Sequence, residues 1–461
     1  MKKWMILALA VLLVLAGAAA GYYAWYQSAH VFVGDAAYEK ELEQLDLRGT
    51  GMSIEDYEAL RQQLPDCEIR YDLPFQNSFY PDDTKQLKLS SLTDAEVELL
   101  DYLPLLETVD AAGCTDYEQL MQLKERHPGC ELLYTVNIGG KHYAQDAREM
   151  AFDKWQPTPD KLREVLPYLP QVEHISFNQP QMPAQDLLSL QSDFPQIRFT
   201  WQKDAFGTTY DSDVTEIELE EMYFTSLDEV EAAMAYYPNL EKLALLFCGY
   251  DKDNLFDDET MAAFREKMRP QYKVVWAMKI YKMLIRTDDL YFMPNKYGLE
   301  VSNYQLPRLR YCEDMLCVDL GHHQIVDLSF VEGMPHLKYF ICIDSNLMYI
   351  EPLSTCKELI YCELFRTPIS DFTPLLGCTA LEDLNVARTY GDPMVFKDMP
   401  WLKNLYVNGF KMNPREREEL NAALPNTYIK YCDYELTANG WRDLPNYFAM
   451  RDLLGMPYNR W

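Results

Sequence analysis

Written in rows of 22, the C-terminal third of the chain aligns Met315, Leu337, Leu359 and Leu381, followed by Leu402 after 21 residues. Three residues into each row stand Val318, Phe340, Cys362, Leu384 and Leu405, and five residues in stand Leu320, Cys342, Leu364, Val386 and Val407. A fixed period of this length constrains folding more than any composition does. One row is a single supersecondary unit that cannot bury its apolar side alone, so rows must stack and share a continuous core. Apolar residues at alternate positions mark a short strand with one face turned into that core.

The pattern is the LxxLxL strand of a leucine-rich repeat. It predicts an α/β solenoid with a parallel sheet on the concave face and short helices and irregular segments on the convex side. Eight residues into each row, where Asn usually bonds the turn, stand His323, Ser345, Thr367, Thr389 and Phe410, so the ladder is degenerate. The second half of a row is clearest in Ile369, Ser370, Asp371, Phe372, Thr373, Pro374, Leu375. This resembles the IxDIxPL stretch of the 22-residue bacterial class to which the internalin-like surface proteins belong. Ile325, Asp327, Leu328 and Val331 repeat it one row earlier, and Leu347, Ile350, Pro352 and Leu353 keep the apolar frame without the Asp. The resemblance covers about residues 311–410.

The N-terminal part repeats on a longer period. Pro65, Pro128, Pro195 and Pro270 are each followed six residues later by an aromatic, Tyr71, Tyr134, Trp201 and Trp276. Tyr80, Tyr143 and Tyr210 stand nine residues further on, but the fourth position is Ile285. Leu106–Glu107, Val172–Glu173 and Leu240–Glu241 form a second series behind Pro104, Pro170 and Pro238. Three strand starts per super-repeat of about 66 residues is again 22 per turn, which predicts one solenoid with a looser, helix-bearing first part. Helix starts fit: Thr93 with Glu96 and Ser226 with Glu229 read as capping boxes, and Thr158 caps a helix opening on Pro159.

The expected organisation is a membrane anchor or signal peptide at 1–30, degenerate helix-bearing repeats at 31–300, regular repeats at 301–436 and a C-terminal cap at 437–461. A solenoid exposes its core at its ends, and Trp441, Tyr447, Phe448 and Met450 are expected to close one. The tail Gly440, Trp441, Arg442, with Asn446 to Asp452, resembles the ending of uncharacterised, exported leucine-rich-repeat proteins of Gram-positive bacteria, as does Arg286, Thr287, Asp288 after Trp276. That family carries no established activity.

Lys2 and Lys3 precede an uncharged, mostly apolar run from Trp4 to Tyr26, long enough to span a bilayer core of ~30 Å. The two lysines predict a cytoplasmic N-terminus, and Tyr22, Tyr23, Trp25 and Tyr26 an aromatic belt at the outer interface. The expected location is therefore the cell membrane, single-pass, with the bulk extracellular. Ala18, Ala19 and Ala20 leave open a cleaved signal peptide and secretion. With 42 Lys and Arg against 72 Asp and Glu, the net charge of −30 repels phosphate backbones and argues against nucleic acid as a partner. Eleven cysteines is an odd number without CxxC pairs; most read as small buried hydrophobes, and Cys356 and Cys378 hold equivalent places in neighbouring turns.

No GxSxG, HExxH, GxxxxGK[ST] or GxGxxG motif is present. Asp251, Asp253 and Asp257 with Glu259 hint at a calcium loop, but Leu255 and a missing glycine break the pattern. His322 and His323 are adjacent, so their side chains diverge and cannot share one metal. No catalytic residue, metal or cofactor is assigned.

A ligand would meet the outward residues of the strands. One column reads Cys317, Tyr339, Tyr361, Asp383, Asn404, the next Asp319, Ile341, Glu363, Asn385, Tyr406, and a third Gly321, Ile343, Phe365, Ala387, Asn408. The candidate ligand-binding set is Tyr339, Ile341, Ile343, Asp344, Tyr361, Glu363, Phe365, Arg366, Arg388 and Tyr406. Its aromatics would form an exposed apolar patch flanked by Asp344, Arg366 and Arg388, a composition that protein interfaces favour. The function expected is a non-enzymatic extracellular binding or adhesion module that takes a protein ligand on the concave face. The alternatives are a structural or assembly factor of the envelope and, behind it, a hydrolase with an unrecognised site.

Overall fold

The computed structural model describes residues 2–33, 36–431 and 440–458. The chain forms two compact units, Met1–Gln202 and Lys203–Trp461. The boundary expected at 436 and 437 lies outside the described residues, as does Cys432.

The first unit opens with an α-helix at Lys2–Ala29 that buries none of its residues. It is long and apolar enough to cross a membrane, as an anchor or a signal peptide would be. A short antiparallel hairpin, His30–Val33 with Ala36–Glu39, follows.

The 66-residue period then takes physical form. Strands Gln86–Lys88, Thr108–Ala111 and the start of Glu131–Ile138 pair in parallel. The second half of Glu131–Ile138 turns at Gly139–Gly140 and pairs antiparallel with Lys141–Ala144. Both turn glycines have positive φ, 61° and 86°, the conformation a tight hairpin needs. The aromatic six residues after each leading proline stands where parallel pairing gives way to the hairpin: Tyr134 pairs with Ala111, while Thr135 already faces Ala144 across the hairpin. The next residue of the series sits across the turn, with Val136 opposite Tyr143 and Met278 opposite Ile285. Tyr134 then donates its hydroxyl to Tyr168 O at 2.7 Å, locking the hairpin base to the following helix end.

These hairpins interrupt the parallel ladder. Three four-stranded sheets result, and in the first and last of them the fourth strand, Lys141–Ala144 and Met283–Arg286, is antiparallel to three parallel ones. Residues 86–286 therefore do not make one continuous sheet, because a return strand occupies the edge that the next turn would have used.

Two of the three expected caps form as read. Thr93 and Glu96 make a reciprocal capping box, and Thr158 accepts from Lys161 N with Pro159 in the first turn. Ser226 makes no side-chain cap; Glu229 bonds instead to the backbone and hydroxyl of Thr225, one residue upstream.

The regular part of the second unit is a leucine-rich-repeat solenoid. Seven strands from Tyr291–Phe292 to Tyr428–Lys430 stack in order, all parallel. Val318, Phe340, Cys362, Leu384 and Leu405 are mutual register partners, as the 22-residue rows predict. Their side chains, with Leu320, Cys342, Leu364, Val386 and Val407, point into one apolar core. Short 3-10 turns such as Ser329–Gly333, Glu351–Thr355 and Thr373–Gly377 carry the chain back on the other side. Asp371 Oδ1 accepts from Thr373 N at 2.9 Å, so the Asp of the repeat pins its turn. Gly333 lies so close to the preceding turn that a Cβ would sit 1.9 Å from Arg310 O.

The Arg286–Thr287–Asp288 motif is a structural clasp. Trp276 N donates to the buried Thr287 hydroxyl, and Arg286 reaches Asp288 and Glu218. All ten described cysteines are free thiols, Cys356 and Cys378 included.

Candidate functional site

In a strand, the residues between core positions face the opposite side. On the seven-stranded sheet the register reproduces the first two columns read from the sequence: Tyr361 pairs with Tyr339 on one side and Asp383 on the other, and Glu363 with Ile341 and Asn385.

The face they form is not exposed. Tyr339, Ile341, Ile343, Tyr361, Glu363, Phe365 and Tyr406 are all buried, none above 8% accessible. The expectation of an open apolar patch is therefore corrected. The chain itself provides the cover: Trp441, Tyr447, Met450 and Leu454 pack on Tyr339, Ile341, Ile343, Tyr361, Phe365 and Tyr406 in a second apolar cluster. The short turn Trp441–Asp443 and helix Pro445–Leu453 lie across the strands. Asn446 Nδ2 binds the carboxylates of Glu382 and Asp383 at 3.1 and 3.0 Å, while Lys296 Nζ reaches Leu454 O at 2.9 Å beside the first strand. The tail read as an end cap thus closes the concave face instead, where Tyr339, Ile341, Ile343, Tyr361, Phe365 and Tyr406 offer it a contiguous apolar surface.

Glu363 is the polar centre of this contact. Its Oε1 accepts from Trp441 Nε1 at 2.9 Å and from the Tyr361 hydroxyl, and its Oε2 lies 3.9 Å from Arg442 Nη2. The Trp441 ring packs on Tyr361 and Tyr406, with centroids 5.2 and 4.8 Å away. Asp319, two strands away in the same column, accepts from Gly321 N, yet burial raises its pKa to about 6, with Glu363 adding to the rise and Arg442 and Arg451 opposing it. Burial likewise raises Asp383. The floor is acidic and the cover brings guanidinium groups. The clue in the sequence was that complementarity, Asp319, Glu363 and Asp383 in the outward columns against Arg442 and Arg451 in the tail.

The remaining members of the candidate set do reach solvent. Asp344, Arg366 and Arg388 follow the strands in consecutive turns, with His322 one turn earlier, and all four have φ between 51° and 66°. Their amides continue the ladder to the next turn, as in Asp344 N to Phe365 O and Arg366 N to Ala387 O. Gln179, Glu221 and Phe247 share this conformation, so it belongs to the repeat rather than to one site. It aims the side chains along the sheet edge. Asp344 Oδ2 meets His322 Nδ1 at 3.1 Å and its Oδ1 meets Arg366 Nε at 2.6 Å. His323, as the adjacency argument required, turns inward and is buried, while His322 is exposed.

Four or five residues after two of the ladder positions stand exposed apolar residues that the LxxLxL frame does not contain. Val326 and Met348 hold the same place in successive turns, with Tyr349 next to them and Tyr304 one period earlier. Their 22-residue spacing was the signal that would have found them. The acidic loop at Asp251 is closed on itself, since Asp251 Oδ1 accepts from Asp253 N and Asn254 N. Among the described residues no three His, Cys, Asp or Glu side chains converge as a metal site would need.

No protein-family model matches the chain, and no curated protein does. Solved structures similar to it include internalin C2 of Listeria monocytogenes, 16% identical over 49% of this chain and 73% of that one, with a TM-score of 0.23. A second internalin of that organism is 14% identical over 78% and 87%, with a TM-score of 0.25. A leucine-rich-repeat protein of Leptospira interrogans is 13% identical over 85% and 90%, with a TM-score of 0.29. Similarity this slight transfers nothing about binding or activity, and the solenoid assignment rests on the strand register itself.

Proposed function

We propose that this chain is a non-enzymatic binding module, tethered by its N-terminal helix and displayed outside the cell, that takes a protein ligand along the strand-end edge of the seven-stranded sheet. The observation that carries the reading is the ladder His322–Asp344–Arg366–Arg388, with exposed Val326, Met348 and Tyr349 four or five residues after His322 and Asp344 along the chain. Apolar contact area flanked by ordered charges is what protein interfaces combine, the first for affinity and the second for orientation and encounter rate. A left-handed backbone at each ladder position sets the direction in which each of these side chains leaves the chain. The long apolar helix at the N-terminus supports the tether.

The test is site-specific photo-crosslinking in intact cells, from Arg366, Met348 and, as a control on the far side of the solenoid, the exposed Glu332. One protein adduct from the first two positions and none from Glu332 is the expected result. Double substitution Arg366→Glu and Met348→Ser should then abolish it, since hot-spot truncations cost about 2 kcal/mol or more each. Adducts of equal yield from all three positions, or from none, would overturn the assignment.

A further inference from the structure

The concave face presents an unusual combination. It is covered, yet much of what is covered is polar: Asp319, Glu363, Asp383 and Asn385 on the sheet, Arg451 on the cover. Glu363 Oε2 and Arg442 Nε are buried without a hydrogen-bond partner. A permanent core seldom leaves such groups unmade, because each lost hydrogen bond to water goes uncompensated. The sheet also does not need this cover to hold together. The apolar core on its other side runs unbroken from Met278 to Leu424 and contains no residue of the 440–458 segment.

We propose that residues 440–458 are an intramolecular ligand that can leave the concave face, and that the opened face takes a peptide segment of a partner in which an aromatic residue directly precedes an arginine. The recognition elements are on the sheet. Glu363 accepts an indole N–H on one oxygen and faces a guanidinium with the other, Tyr361 and Tyr406 bracket the ring, and Asp319 and Asp383 extend the negative floor. Trp441–Arg442 shows the fit in cis. The charge argument gives the partner's sign: an acidic floor closed by the arginines of its own chain selects a basic, aromatic segment over an acidic one. This site adds to the edge proposed above and does not depend on it.

The test uses the full chain in detergent and two readouts. Cys317 lies on the concave face under the cover, whereas Cys362 points into the opposite core; both are fully buried. Alkylation followed by mass spectrometry should label Cys317 at least tenfold faster than Cys362, and Trp441→Ala should accelerate Cys317 alone by a further tenfold. The second readout is fluorescence anisotropy of a labelled synthetic peptide with the sequence of residues 440–458. It should bind the Trp441→Ala chain at least tenfold more tightly than the wild type, and a peptide with alanine at its Trp and Arg should not bind. Equal protection of Cys317 and Cys362 in both proteins would make the segment permanent core and overturn the proposal. So would exposure of Cys362 by Trp441→Ala, or equal binding of the two peptides. Dimers formed by the wild type in step with Cys317 labelling would assign the exchange to a second copy and reject the partner peptide.

Discussion

Closure of the concave face should weaken as pH rises from about 4 to 6, and Asp319 sets the size of the effect. Burial lifts its carboxyl from 3.8 to about 6, and opening, which removes the covering segment, is expected to return it toward 3.8. The groups facing it are Glu363, which raises it further, and Arg442, Arg451 and Gly321 N, which lower it. In the closed state Asp319 thus holds a proton between those two values that the open state has released. Each pH unit in that window removes ~1.4 kcal/mol from closure, so the full span is worth about 3 kcal/mol. Below pH 4 both states are protonated, and above 6 both are ionised, so the curve is flat outside the window. Burial raises Asp383 in the same sense, while Asn446 of the segment lowers both Asp383 and Glu382 and so offsets part of that contribution. Hydrogen exchange of the amides in helix Pro445–Leu453, corrected for intrinsic rates, measures the opening free energy directly. Asp319→Asn keeps an acceptor for Gly321 N and removes the titration. It should flatten most of the slope and strengthen closure at pH 7 by up to ~3 kcal/mol. A wild-type profile that is flat or rises with pH, or a variant with an unchanged slope, would refute the reasoning.

Three further outcomes follow from the repeat and the anchor. Leu364→Ala, at a side chain with no solvent exposure in the main core, should cost about 2 to 5 kcal/mol in urea unfolding, and Asp371→Ala, which loses only a turn contact, should cost less; equal small losses would mean the repeat frame is misplaced. Gly333→Ala should destabilise the solenoid, by about 1 to 3 kcal/mol or more, because the added Cβ meets the rigid backbone of Arg310 rather than a movable side chain; an unchanged melting temperature would contradict the close approach. Protease added to intact protoplasts should remove nearly all of the chain's mass and leave the N-terminal helix, and N-terminal sequencing separates an uncleaved anchor from a mature chain starting near Gly21.

Legibility differed between the two ends of the chain for a physical reason. In the regular repeats one strand residue in two must be apolar in every turn, so the positions of Val318, Phe340, Cys362, Leu384 and Leu405 were readable from spacing alone, and the register reproduces them. The Pro-to-aromatic series was equally visible, but its meaning was not. That Tyr134 marks the switch from parallel pairing to a hairpin depends on the Gly139–Gly140 turn and on where the return strand docks. The cap at Ser226 slipped to Thr225 because two neighbouring hydroxyl residues compete for one glutamate, and backbone placement decides between them.

By itself the sequence determined the stacking unit, the core face and the residues of the outward columns, since alternation along a strand is a local rule that every turn repeats. It also determined that the segment 440–458 must cover something, because Trp441, Tyr447 and Met450 are too apolar to be left in water. Which surface they cover was decided only by tertiary structure. Glu363 and Trp441 are 78 residues apart and belong to no common period, so no spacing could join them. Their pairing turned an apparently open ligand face into a closed one, and left the strand-end ladder of His322, Asp344, Arg366 and Arg388 in solvent.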